Sequence, residues 1–178
     1  MKCHLCETKG CSKGDPCISF DSLELYQGED LRLLKTASDV EALYYCTLNR
    51  LEEIMEFSRR MGYKKLGIAF CIGFRDEAEM LGKILSEEFE VYSACCKVSA
   101  MKKDDIGAVR RPWIGEISCN PAEQARVLDS AGCQFNIVLG LCVGHDSLFY
   151  RHSKAPVTTF VVKDRVLGHN PVSVLYSQ

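Results

Sequence analysis

Four cysteines open the chain, Cys3, Cys6, Cys11 and Cys17, spaced C-x2-C-x4-C-x5-C. A C-x2-C pair lets two thiolates reach one metal ion from a single tight turn. Gly10 and Gly14 let the chain fold back so that the second pair completes the set. Four thiolates in tetrahedral array suit zinc and suit a 4Fe-4S cluster equally well, and the spacing leaves both open. The stretch C-x2-C-x3-G-C is close to a zinc knuckle, with Cys11 where a histidine usually sits. Knuckles that bind nucleic acid stack bases on aromatic rings, and no aromatic residue lies between Cys3 and Cys17. The first 20 residues hold little that is apolar, so a metal is expected to order them. The alternative is four free thiols in a loose tail.

A second set of thiols recurs at the ends of apolar runs. Cys71 ends the first run, Cys95 and Cys96 lie near the end of the second, and Cys142 ends the third. Cys119 stands one residue before a helix cap. In an open parallel sheet, ligands and catalytic groups collect outside the carboxyl ends of the strands, so these thiols are expected on one rim. His145 and His169 follow strands and fall at the same end. Helix N-termini there lower thiol pKa values and favour thiolates. At least three of Cys71, Cys96, Cys119 and Cys142 are expected to form a functional site, as nucleophiles or as ligands of a second metal or cluster. His145, neutral beside a helix start, would be a ligand or proton carrier. The sulfurs of Cys71, Cys142 and one of Cys96 and Cys119 should lie within about 8 Å, roughly twice the spacing of shared zinc ligation. The alternative is core filler, since cysteine is among the most buried residues. Cys95 and Cys96 alternate across the sheet, so one alone should face the site. Cys46 and Cys133 read as bystanders. Arg110 and Arg111 beside Trp113 suit an anion or, equally, a solvated loop.

The bulk composition narrows the setting. The 178 residues suffice for one compact domain. Apolar residues make up 47% and charged ones 26%, as in a folded globular protein, and the net charge of −2 suggests neither a nucleic-acid nor a membrane surface. No apolar run approaches the roughly 20 residues that span a bilayer, and Met1-Lys2-Cys3-His4 begins no secretory signal. Eleven cysteines are an odd number, and without an export signal they read as metal or thiol chemistry in a reducing cytoplasm rather than as disulfides.

The elements that must position these residues follow from pattern. A connector is expected over residues 18–35. Ser38-Asp39-Val40-Glu41 fits a capping box and predicts one long helix to Met61, stopped by Gly62. Strands are expected over Leu66–Ile72, Val91–Val98, Phe135–Cys142 and Val157–Val162. Helices are expected over Asp76–Phe89, from Asn120-Pro121 to Gly132, and from Asp146. The tail from Gly168 packs back or adds an edge strand. The alternation predicts an α/β domain with a mostly parallel, doubly wound, Rossmann-like sheet over residues 21–178, preceded by a metal-binding arm over residues 1–20. Neither G-x-G-x-x-G nor a P-loop is present.

The four-cysteine spacing, Cys119-Asn120-Pro121, Gly140-Leu141-Cys142-Val143-Gly144-His145-Asp146-Ser147-Leu148-Phe149, Lys154-Ala155-Pro156-Val157 and Asp164-Arg165-Val166-Leu167-Gly168-His169-Asn170-Pro171 together resemble a family. It is one of uncharacterised cysteine-rich metal-binding proteins, a domain of unknown function of archaea and anaerobic bacteria. The resemblance covers essentially the whole chain and implies a cytosolic, cysteine-dependent metal protein. An anaerobic setting favours iron–sulfur over zinc. The function expected first is redox or sulfur handling at the rim thiols, with a metal or cluster and a protein redox partner. The alternatives are a metal sensor, store or delivery module without turnover, or a zinc-stapled interaction domain.

Overall fold

The fold is a single α/β domain with a four-stranded, all-parallel sheet, seen in a computed structural model that describes residues 1–18 and 22–176. The strands are β1 (Lys65–Phe70), β2 (Glu90–Cys95), β3 (Phe135–Leu139) and β4 (Val157–Val161), in the order β2-β1-β3-β4. Central β3 is buried along its length, as an apolar run between two parallel neighbours requires, while β2 and β4 form the edges. The expected strands are all present, each ending short of its thiol: β1 before Cys71, β2 at Cys95, β3 before Cys142.

Helices cover both faces. They are α1 (Glu29–Tyr44), α2 (Arg50–Met61), α3 (Arg75–Leu85), α4 (Pro121–Ser130) and α5 (His145–His152). Ile68 of β1 meets α3 at Gly82, and Phe135 of β3 packs on Phe57 of α2 with ring centroids 5.3 Å apart. The alternate residues turn the other way. A side chain at Gly67 would strike Asn136 and Leu128 of α4, and Asn136 donates to Ser153 at the end of α5. The layers are therefore α2 and α3, then sheet, then α4 and α5, with α1 packed on α2.

The helix boundary near residue 45 differs from the sequence reading. Ser38 is no cap: it sits inside α1 and its Oγ donates to the Leu34 carbonyl. The capping box is Asn49-Arg50-Leu51-Glu52, where Asn49 accepts from the N–H groups of Leu51 and Glu52 and the Glu52 side chain accepts from the Asn49 N–H. The expected single helix is thus two, and Cys46 lies in the exposed turn between them, not within a helix. The last seven residues of the expected connector, from Glu29 on, are already helix. The tail forms an exposed 3-10 turn over Pro171–Tyr176 rather than an edge strand. Among the described residues no helix is long and apolar enough to cross a membrane.

Residues 1–18 form short 3-10 turns with no buried residue. The boundary expected between an arm and the domain, at residues 20 and 21, lies outside the described residues.

Candidate functional site

The strand order reverses at β1. The chain leaves β1 for β2 on one side, then crosses to β3 on the other, so the crevice outside the carboxyl ends of β1 and β3 is the topological switch point. Three thiols meet there from three segments. Cys71 follows β1 and opens the turn into α3, Cys96 follows β2, and Cys119 precedes the cap of α4. Backbone bonds lock their places: the Cys71 N–H donates to the Leu139 carbonyl, the Cys96 N–H to Phe70 and the Asn120 N–H to Cys96. From α4, the fully buried Gln124 amide donates to the carbonyls of Phe70 and Ala94, clasping β1 to β2 just short of the thiols.

The Cys96 thiol is hydrogen-bonded with both Cys71 and Cys119, and its sulfur accepts from the Ile72 N–H at 3.3 Å. A thiol has one proton, so Cys96 donates to one neighbour at a time. The bond from Cys96 holds Cys71 below the ordinary thiol range, helped by the Gly73 N–H and Lys163. Cys119 is held low by Cys96 first, then by a hydrogen bond with His145 and by Lys97, whose Nζ is 3.6 Å from its sulfur. Cys96 itself is pushed up, because two neighbouring thiolates and burial all favour its protonated form. Cys96 is thus shifted toward the thiol and its two neighbours toward the thiolate. Cys71 and Cys96 are buried, and Cys119 is half-buried.

His145 opens α5 and lies against Cys119. Its pKa is raised by the neighbouring Cys119 thiol, which outweighs the burial that lowers it. Cys142 is on the rim but outside the trio, and its sulfur accepts from Arg165 Nη2 at 3.0 Å. Cys95 stays half-buried within β2, so Cys96 is the one of the pair that enters the site. Burial pushes Cys133 up to about 11, as for an inert core thiol.

Sequence reasoning missed the cations. Lys97 directly follows Cys96, while Lys163 and Arg165 stand just beyond β4. The strand-end argument that gathered the cysteines applies equally to them. Lys163 and Arg165 belong to a strap over residues 162–170. Within it the Asp164 side chain accepts from the N–H groups of Val166 and Leu167, and the Asp164 N–H donates to His169 Nδ1. His169 packs on Phe74 at 4.6 Å.

At the other end of the chain, Cys3, Cys6, Cys11 and Cys17 are exposed. Cys17 lies beside Cys11, whose charge raises its pKa, with Cys3 near, whereas Cys6 turns to the Thr8 hydroxyl and is lowered by it. Thiolates are the right donors for a soft metal or cluster. Their positions fit less well: among the described residues, no three or more His, Cys, Asp or Glu side chains are grouped to hold one metal ion. That holds for the rim as well.

A family model described as Protein of unknown function (DUF1847) matches residues 12–160. The chain is 48% identical over 184 residues to an uncharacterized protein of Methanocaldococcus jannaschii, covering 100% of this chain and 95% of that protein. Among solved structures, Dph2 from Pyrococcus horikoshii with a 4Fe-4S cluster aligns with 51% of this chain at 27% identity and a TM-score of 0.34. Another structure of Dph2 from that organism aligns with 71% of it at 22% identity and a TM-score of 0.37. The chain spans 22% and 32% of those two Dph2 chains, and likeness of that extent bears on neither fold nor chemistry.

Proposed function

This chain belongs to the Protein of unknown function (DUF1847) family, and from that premise we propose that it is a cytoplasmic, cysteine-dependent protein with two sites. The N-terminal cysteines take up zinc or a 4Fe-4S cluster, and the rim thiols carry redox or sulfur-handling chemistry. The observation that carries the second part is the convergence of Cys71, Cys96 and Cys119 at the switch point, where the Ile72 N–H donates to Cys96, the Asn120 N–H to the Cys96 carbonyl, and Lys97 lies 3.6 Å from Cys119. A core filler has no need of sulfurs converging from three segments, nor of Lys97 and His145 beside one of them.

The roles follow from exposure and proton count. Cys119 meets solvent, so an electrophilic sulfur or a soft metal ion arriving at the rim encounters it first. His145 holds the proton next to it. Cys96 is the protonated thiol in reserve, and Cys71 is the second thiolate, deeper in. Catalytic roles are proposed for Cys71, Cys96, Cys119 and His145. Cys142 is proposed as an outer thiol held by Arg165. A protein redox partner would supply or remove electrons at this rim.

The exposed arm favours a second reading for the protein as a whole, a metal delivery module without turnover. Four surface thiols with no buried neighbour can give up a metal as readily as take it.

Anaerobic purification, metal analysis and an absorption spectrum test both readings, on wild type, on a Cys6→Ser Cys11→Ser variant and on a Cys71→Ser Cys119→Ser variant. The expected result is one metal centre, lost from the first variant and kept by the second, with fast thiol alkylation lost from the second alone. Full metal content in the first variant sinks the arm assignment. Alkylation unchanged in the second sinks the rim.

A further inference from the structure

The rim proposed above as a thiol site also has a definite charge, and the inference here rests on that reading. Three cations crowd its mouth. Lys97 Nζ donates to the Ile117 carbonyl at 2.7 Å and lies 3.6 Å from Cys119 Sγ. Lys163 Nζ sits 4.3 Å from the Phe74 ring centroid, over Gly73, where an added Cβ would come within 3.2 Å of it. Arg165 Nη2 lies 3.0 Å from Cys142 Sγ. Among the described residues none of the three forms an ion pair with a carboxylate. The acid between Lys163 and Arg165 is engaged by backbone: Asp164 accepts from the N–H groups of Val166 and Leu167, while Glu90 and Asp104, the acids nearest Lys97 in sequence, pair with Lys65 and Arg110.

Thiolate charge on Cys71 and Cys119 offsets part of this positive charge. Chemistry removes that offset. A thiolate that bonds to carbon or sulfur gives up its negative charge, and a divalent metal ion adds positive charge. The cations would then stand uncompensated in a half-buried crevice, which is unfavourable. An occupant bringing its own negative charge restores the balance and gains charge-assisted hydrogen bonds. We infer that the rim takes a substrate bearing a carboxylate or phosphate group, seated on Lys163 and Arg165, with Lys97 beside the reacting Cys119.

The test compares two reagents on one sulfur in the full-length chain at neutral pH and low salt. Iodoacetamide is neutral and iodoacetate is anionic. With either, the thiolate forms a sulfur–carbon bond and iodide leaves. Labelling of Cys119 is followed by peptide mass. The iodoacetate-to-iodoacetamide rate ratio should be about tenfold higher in the folded than in the urea-unfolded chain. It should fall about threefold in Lys163→Gln and again in Arg165→Gln. Lys163→Arg and Arg165→Lys, which keep the charge, should preserve it. Excess inorganic phosphate or acetate should slow iodoacetate, and whichever protects at the lower concentration identifies the group. A ratio equal in folded and unfolded chains, or unmoved in the double Gln variant, overturns the inference. Fast labelling by both reagents without preference would leave the thiol site standing and remove its anion. Labelling by neither would remove both.

Discussion

Of Cys71, Cys96 and Cys119, only Cys119 is half-buried rather than buried, so its charge state governs what reaches the trio from solvent. Its pKa is lowered, so the thiolate persists below the pH at which an ordinary thiol is protonated, and reactivity is lost as pH falls through the lowered value. Alkylation of Cys119 by iodoacetamide should therefore change little between pH 8.5 and 6.5. In the unfolded chain it should drop about fiftyfold over that range, as a pKa near 8.5 dictates. His145→Ala removes a positive partner of that thiolate and should move the folded profile up by about one pH unit, with the fold and the N-terminal metal unaffected. An unmoved profile would take His145 out of the site. The cysteines were legible in the sequence because a thiol at the end of an apolar run is conspicuous. Lys163 and Arg165 were not, because a cation after a strand looks the same whether it faces water or a thiolate. The neighbour that raises the His145 pKa was hidden for a related reason: helix position is visible in sequence, but Cys119 is 26 residues away.

Among the elements, the turn after β3 carries an unusual constraint. Gly140 has φ +66, and a Cβ there would lie 2.1 Å from the Phe74 ring. Phe74 is buried between the Cys71 turn, His169 and Lys163. Gly140→Ala must both strain the backbone and displace that ring, at a cost of about 2–3 kcal/mol. In a chain of this length that should lower Tm by roughly 4–12 °C. It should also alter labelling at Cys71, since the same ring backs its turn. A Tm within a degree of wild type would show that the turn can relax. The strands were readable because each is an apolar run bounded by turns, and helix starts with a proline, such as Asn120-Pro121, were readable too. The break between α1 and α2 was not. Ser38-Asp39-Val40-Glu41 has the letters of a capping box, but a serine inside a helix satisfies itself on the carbonyl four residues back, and only the backbone distinguishes the two uses.

At the scale of the whole molecule, the two thiol sets stand in opposite relations to the core. Cys71 and Cys96 belong to it, whereas residues 1–18 contribute no buried side chain. If a metal holds the arm, its removal by a chelator should expose residues 1–18 to proteolysis. The cooperative unfolding of the sheet should stay unchanged, because no core contact is lost. A fall of several degrees in the sheet's Tm on chelation would instead tie the arm to the domain. The strand–helix alternation after a polar cysteine cluster was visible in the sequence, while the grouping of ligands around a metal is a matter of ångströms that spacing does not fix. The strap has one more consequence. Lys163 and Arg165 come after the last strand, so a ribosome lays down every rim sulfur before it lays down those two cations. A half-made chain can pair β1, β2 and β3 and bring its thiols together, yet it lacks the charges that draw an anion to them. The chain gains its reactive mouth only when synthesis has passed β4, by which time the sheet beneath it is closed.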